Sequence, residues 1–410
     1  MQKAEAGNTD RIKQINRSLV LKIIHKYGPV SKAEISAKVD LTFATIGNIT
    51  SELLETEAIK LAGYGKSNGG RRPVLYEINW NNFYVIALAI GVTGISAALV
   101  NLKADIFSRC DVPMIGDQNT PLIEKVYKGV DGLLAQADVN TSKIVGIGVS
   151  APGPIDEGDG RLLSPPNLQG TKNVNIKHLL EERYHLVTVL EKDANAAALA
   201  EQWFGVAHMT ENILYIFADQ GIGGGVIIDS RIYRGFKNGA GEIGHVSIDI
   251  DGPRCNCGNF GCLEAMASGI SIIKRVKKEI HRGVSSTLTD VYLKNEDDLT
   301  LETIIGHGRK GDPLAKEILN ETGRYLGIGV ANAINFFAPS KVIFGGQIVD
   351  LFPEIIQVAE EIAKSRSFSA YATDITFTKS SFGFQSTLIG AAAIIQQRLF
   401  DSPEEAIIQK

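Results

Sequence analysis

Twice in this 410-residue chain a run of β-prone apolar residues halts at a glycine cluster and resumes as a second run. The first is "FYVIALAIGVTGISAALVNLKADIF", Phe83 to Phe107, which turns at Gly91-Val92-Thr93-Gly94. The second is "NILYIFADQGIGGGVIIDSRIYRG", Asn212 to Gly235, with Gly221, Gly223, Gly224 and Gly225 at the junction. Each reads as strand, tight turn, returning strand. One such element is an ordinary hairpin. Two at matching places in two halves restrict the chain to a duplicated α/β body.

That repeat is the pattern of the actin-like ATPase fold, in which the backbone amides of such turns cradle phosphates. "KIVGIGVSAPGPID" extends the logic, a buried strand at Ile144 to Val149 running into a Gly/Pro loop. "PSKVIFGGQIV" ends a strand at Gly345-Gly346, the kind of βα junction where α/β proteins seat ligands. Helical periodicity falls between these strands at about 119–137, 195–204, 270–282, 313–337 and 388–399.

The first 80 residues follow a different grammar. Ile12, Ile15, Leu19, Ile23 and Ile24 recur at spacings of three and four, which predicts a helix over 8–27 with those residues as its buried stripe, stopped by Gly28-Pro29. A short helix from Ser31, with Ser31 and Glu34 as a capping box, a turn near Asp40-Leu41 and a second helix from Thr42 come next. Ile46, Ile49, Leu53 and Leu54 of that helix face inward, leaving Thr42, Phe43, Thr45, Asn48 and Ser51 outward. Small polar residues at the start of a second short helix suit a DNA major groove. Two strand candidates then flank a glycine-rich basic tip carrying Lys66, Arg71 and Arg72, the form of a wing that grips backbone or minor groove. Charge supports the division: residues 1–75 carry +5 and the remainder −9.

Four cysteines, one of them isolated at Cys110, make no disulfide framework. The polar N-terminus has no signal-peptide pattern, and the most apolar segment, 83–100, is broken by Gly91, Thr93, Gly94 and Ser96. The expectation is a cytoplasmic protein without membrane contact, where clustered cysteines point to a metal.

The stretches "GEIGH…CNCGNFGCLE", "EKDANAAALAE", "SAPGPID" and "SKVIFGG" resemble the ROK family of sugar kinases and sugar-responsive repressors over about residues 84–400. The N-terminal winged helix-turn-helix resembles the family's regulator branch, of xylose-repressor and N-acetylglucosamine-repressor type. The resemblance implies three regions: a DNA-binding domain over 1–80; a first lobe over 81–195, completed by a C-terminal helix at about 386–410; and a second lobe over 196–385 with a zinc loop. His245, Cys255, Cys257 and Cys262 offer one imidazole and three thiolates, a tetrahedral set suited to zinc. Four protein ligands leave no open position, so the expected role is structural. By resemblance, sugar hydroxyls meet Asp193, Glu242, His245, Glu264 and Asn167, with one ring nitrogen of His245 on the metal and the other toward the sugar.

The departures from the kinases carry as much information. Ala89 stands where they have the phosphate-site aspartate, Gly94 where the turn's basic residue lies, and Asp219-Gln220 where a Gly-Thr precedes the second turn. Lys192 replaces their asparagine beside Asp193, the position of the kinase base. A carboxylate facing a phosphate site repels the ligand. The sequence therefore points to a non-catalytic kinase-fold sensor: a repressor of carbohydrate genes, acting as a homodimer or dimer of dimers on operator DNA and answering to a sugar. The competing readings are an ATP-dependent sugar kinase carrying a DNA-binding head, and a DNA-binding protein whose body only oligomerises.

Overall fold

The computed structural model describes residues 9–66, 71–114, 120–168 and 170–403. In the head, α1 (Thr9–Tyr27) is followed by β1 (Val30–Ser31), α2 (Lys32–Ser36) and α3 (Phe43–Glu55), then β2 (Ile59–Tyr64) and β3 (Val74–Ile78). Ser31 caps α2 with the expected capping box, and the Thr42 side chain caps α3 by accepting from the Thr45 amide. β3 pairs antiparallel with both β1 and β2, so the wing is a three-stranded sheet. Its tip, residues 67–70, lies outside the described residues.

The apolar stripe expected on α1 is corrected by the structure. Ile12, Ile15 and Leu19 are 52%, 51% and 41% exposed, whereas Val20, Leu21 and Ile24 are at most 1% exposed. The first turns of α1 run past the edge of the head's core. Its last turns present a different face, one that meets α3, the wing and the body together. Arg17 holds the register from this side, its Nε donating to Glu52 of α3 at 2.8 Å.

The body opens with β4 (Tyr84–Ile90), β5 (Gly94–Asn101), β6 (Ile106–Pro113), α4 (Leu122–Gln136) and β7 (Ile144–Ala151). A small sheet of β8 (Ile155–Asp156), β9 (Arg161–Leu162) and β10 (Val174–Asn175) precedes α5 (Ile176–Tyr184), β11 (Thr188–Lys192) and α6 (Asp193–Phe204). The first large sheet has the order β11-β7-β4-β5-β6, with the β4–β5 hairpin antiparallel and β7 and β11 parallel to it in turn.

The second half repeats the plan. β12 (Ile213–Ala218), β13 (Ile222–Ile228) and β14 (Arg231–Ile232) form its hairpin. The helices α7 (Leu263–Ala267), α8 (Gly269–His281), α9 (Leu288–Lys294), α10 (Leu301–Arg309) and α11 (Pro313–Phe337) follow. β15 (Lys341–Gly345), α12 (Gln347–Leu351), α13 (Ile355–Arg366), α14 (Ser369–Ala372), β16 (Thr376–Lys379) and α15 (Ser386–Asp401) close the chain. Its sheet order is β14-β13-β12-β15-β16.

The two hairpins thus sit at equivalent places in two five-stranded sheets, as the repeated glycine turns predict. α6 begins two residues before the sequence reading, at Asp193, and the boundary drawn at 195 falls inside it. α15 returns to the first lobe, packing on β4, β7 and α6. Glycines make that packing possible: a Cβ on Gly148 of β7 would lie 1.8 Å from the Ala391 carbonyl oxygen of α15. Among the described residues no helix is long and apolar enough to cross a membrane.

Candidate functional site

The cleft lies where strands of both sheets end. β11 delivers Lys192 and passes into α6 at Asp193; the β12–β13 turn delivers Asp219 and Gln220; a single 3₁₀ turn carries His245 just after Glu242; and the first turn of α7 carries Glu264. These side chains, with Asn167 and the first glycine turn, line one cavity of about 370 Å³. That volume is within the range of small-molecule sites. All five residues expected to meet a sugar, Asn167, Asp193, Glu242, His245 and Glu264, share this wall.

Each is held by a partner. The Lys192 ammonium is buried and donates to Glu242 Oε1 at 2.9 Å and to the Ala240 carbonyl at 2.6 Å. The residue that departs from the kinase pattern therefore fixes one of the expected sugar contacts. Glu264 Oε2 accepts from the Ile222 amide at 3.0 Å, and a Cβ on Gly221 would come within 2.6 Å of the same oxygen. Asn167 Oδ1 accepts from Asn256 Nδ2 at 3.1 Å, which ties it to the cysteine loop. Asp193 Oδ1 accepts from the Ala194 amide at 2.7 Å. Burial pushes the Asp193 carboxyl up to about 7; the Ala194 amide and Lys192 oppose the rise, and Glu242 and Asp219 add to it. A group poised there can accept a hydroxyl's hydrogen bond or hold a proton near neutrality.

The metal set is compact. The ligand atoms of His245, Cys255, Cys257 and Cys262 all lie within 4.8 Å of one another. His245 Nδ1 is 3.7 Å from Cys255 Sγ, and Cys257 Sγ is 3.8 Å from Cys262 Sγ. Those two separations are close to the edges, about 3.5–3.8 Å, of a tetrahedron with zinc–sulfur bonds of ~2.3 Å and a zinc–nitrogen bond of ~2.0 Å. Burial, with the neighbouring thiols, pushes Cys262 up to about 12. Three thiols this close ionise together only around a cation, so the donors fit a zinc-sized ion. Nδ1 faces the thiols, which leaves Nε2 of His245 as its other ring nitrogen.

Beside the second glycine turn, two backbone amides are bonded to the Asp219 carboxylate. Asp219 Oδ1 accepts from the Gln220 amide at 2.6 Å and Oδ2 from the Gln347 amide at 3.4 Å, the latter just past Gly345-Gly346. Gln220 Nε2 donates to Gln347 Oε1 at 3.1 Å, closing the gap between the two junctions. Burial raises the Asp219 carboxyl pKa.

Sequence reasoning missed a supporting cross-link. Glu191, fully buried, accepts from Arg234 at 2.7 and 3.0 Å, from Asn195 Nδ2 at 2.9 Å and from the Lys192 amide at 2.9 Å. Arg234 also pairs with Glu157 at 3.1 Å. The signal was present as the glutamate opening "EKDAN", but only the fold brings Arg234 to it.

In the head, Phe43, Asn48 and Ser51 are exposed on α3, and Thr45 is half-buried. Thr42 is exposed too, yet its hydroxyl is spent on the cap and lies 2.8 Å from that of Thr45. Lys66, Arg71 and Arg72 are exposed on either side of the undescribed tip.

The chain is 33% identical to the xylose repressor of Caldicellulosiruptor bescii over 98% of its own length and all of the relative's. It is 30% identical to the N-acetylglucosamine repressor of Escherichia coli O157:H7, over 97% and 96% of the two chains. The solved structure of a ROK family transcriptional regulator, a homologue of the E. coli MLC protein, superposes with a TM-score of 0.83 at 29% identity, covering 97% of this chain and 100% of that one. A ROK family glucokinase from Streptomyces griseus, in complex with glucose and AMPPNP, matches 77% of this chain and 99% of its own, with a TM-score of 0.68 and 27% identity. The ROK family model matches residues 85–398, three-quarters of the sequence, and the chain belongs to the ROK family.

Proposed function

We propose that this protein is a sugar-responsive DNA-binding repressor of carbohydrate-utilisation genes, with α3 and the wing reading the operator and the cleft reading the sugar. The observation that carries the reading is the cleft's asymmetry. Its sugar side presents Asn167, Asp193, Glu242, His245 and Glu264 with their positions held, while its phosphate side has its amides bonded to Asp219. Similarity to named sugar repressors along nearly the whole chain supports the same reading. His245, Cys255, Cys257 and Cys262 hold a structural zinc that fixes the imidazole and the loop bearing Asn256. Thr42, Phe43, Thr45 and Asn48 face the major groove, and Lys66, Arg71 and Arg72 the DNA backbone. Two copies on one operator present two heads, and sugar-driven closure of the lobes changes the heads' fit to their half-sites.

The mechanism is one of differential binding. Hydroxyls bridging Asp193 on one lobe and Glu242, His245 and Glu264 on the other favour the closed form, and the sugar shifts the equilibrium only by that preference. Glu242→Ala is expected to leave operator affinity within about twofold of wild type and to abolish its response to the inducing sugar, measured by fluorescence anisotropy with D-xylose, D-glucose and N-acetyl-D-glucosamine. A normal response would overturn the assignment of the cleft.

One observation favours a second reading. The Asp193 carboxyl, raised to about 7, sits where a kinase base would act. Sugar-dependent release of ADP from ATP distinguishes the two readings; none above background is expected.

A further inference from the structure

The chain has two tryptophans, Trp80 and Trp203, and both lie against one histidine of the head. His25, on the last turn of α1, has its ring centroid 4.8 Å from Trp203, 5.5 Å from Trp80 and 4.9 Å from Phe400. Trp203 and Phe400 are themselves 5.2 Å apart in an edge-on arrangement. Such edge-to-face contacts are directional, so a tilt of one ring is felt by the others. One turn earlier on α1, Lys22 pairs with Asp401.

The partners of His25 are the far ends of two helices that start in the cleft. α6 opens with Asp193 and reaches Trp203 as its next-to-last residue. Thr387 and Leu388 of α15 line the same cavity, and Phe400 is that helix's next-to-last residue. At about 1.5 Å per residue α6 spans ~18 Å and α15 ~24 Å, the distance from ligand site to head. The two helices touch backbone to backbone: a Cβ on Gly390 of α15 would lie 2.1 Å from the Ala196 carbonyl oxygen of α6. The end of α6 is also anchored to the second lobe. Fully buried Glu201 accepts from Ser380 Oγ and the Ser381 amide, each at 2.7 Å, just after β16. A relative movement of the lobes therefore acts on α6 at both of its ends.

We propose that α6 and α15 form a lever between the cleft and the head, and that the His25–Trp203–Phe400 contact is its output. His25 and Trp203 are then positioning residues of the sugar response: they touch neither sugar nor DNA, yet set how strongly one is felt by the other. This rests on the reading of the protein as a sugar-responsive repressor. It adds a direct optical signature, since both tryptophans report on the joint.

The test uses the full-length protein and the same three sugars. In wild type, tryptophan emission is expected to change on sugar addition with the same midpoint as the loss of operator affinity. His25→Ala and His25→Gln should bind sugar, by calorimetry, and operator without sugar within about twofold of wild type. The sugar's effect on operator affinity should fall at least about fivefold in both. Trp203→Phe, which keeps an aromatic ring, should retain most of the effect, and Trp203→Leu should lose it. The single-tryptophan protein made by Trp80→Phe should keep the emission change. A full sugar effect in both His25 variants, or an emission that stays constant while wild type responds, overturns the lever alone. A wild type whose operator binding ignores every sugar overturns the functional reading, and the lever with it.

Discussion

At the scale of single residues, Asp193 is the buried carboxyl of the cleft whose protonation changes near neutral pH. Its folded-state value of about 7 against an ordinary 3.8 means that the folded protein holds a proton which the unfolded chain has released. The apoprotein consequently loses stability as pH rises from 3.8 to about 7. In the proposed complex a sugar hydroxyl donates to the ionised carboxylate, so sugar affinity should fall about tenfold per pH unit below 7 and level off above it. Calorimetry from pH 5.5 to 8.5 checks this, and Asp193→Asn should remove the pH dependence while weakening binding at least about tenfold. The five candidate residues were named from the resemblance of the short stretches that hold them to the ROK family. What the letters do not carry is who holds them. Lys192 reads as a departure from a pattern, and only the fold, which brings Ala240 and Glu242 to its ammonium, turns it into the clamp on Glu242.

At the scale of elements, the glycine-turn hairpins, the capping box of α2 and long α11 were legible because their causes are local: periodicity, caps and turn chemistry. α1 shows where local reasoning fails. Two apolar stripes overlap on it, Ile12–Ile15–Leu19 and Val20–Leu21–Ile24, and periodicity cannot choose between them. The choice is made by α3, the wing and α15 together, which pack on α1, although Asp401 of α15 lies 379 residues from Lys22. The cysteine loop is the other element whose behaviour can be measured. Hydrogen bonds of the loop shape part of it, such as the Cys255 amide to the Asn259 carbonyl at 2.8 Å, and a bound metal would close the rest. Cys257→Ser is expected to lower bound zinc from about one per chain to below ~0.2 by atomic absorption and to weaken sugar binding. Operator binding without sugar should persist. Full zinc occupancy in that variant would show the ligand set to be wrong.

For the whole molecule, the basic head on an acidic body gives DNA binding two separable components. Asn48 is exposed on α3 and Arg71 beside the wing tip; in the proposed mode Asn48 reads base edges and Arg71 meets phosphate. Asn48→Ala should reduce discrimination between operator and random DNA by ~1–3 kcal/mol at constant salt slope. Arg71→Ala should weaken both alike and lower the slope of log K against log salt by about one. Titrations at four salt concentrations separate them, and the reverse pattern would exchange the two roles.

The head and the first lobe share one hydrophobic core. Val20, Leu21, Ile24, Ile35 and Ile46 of the head are continuous with Val85, Ala98, Val100, Leu399 and Phe400 of the body. A biosensor engineer who cut at residue 80 to graft a new DNA reader onto this sugar receptor would expose half of that core on each fragment. Transplants should succeed when α1 travels with its matching α15 surface, and fail when only α3 and the wing are considered portable.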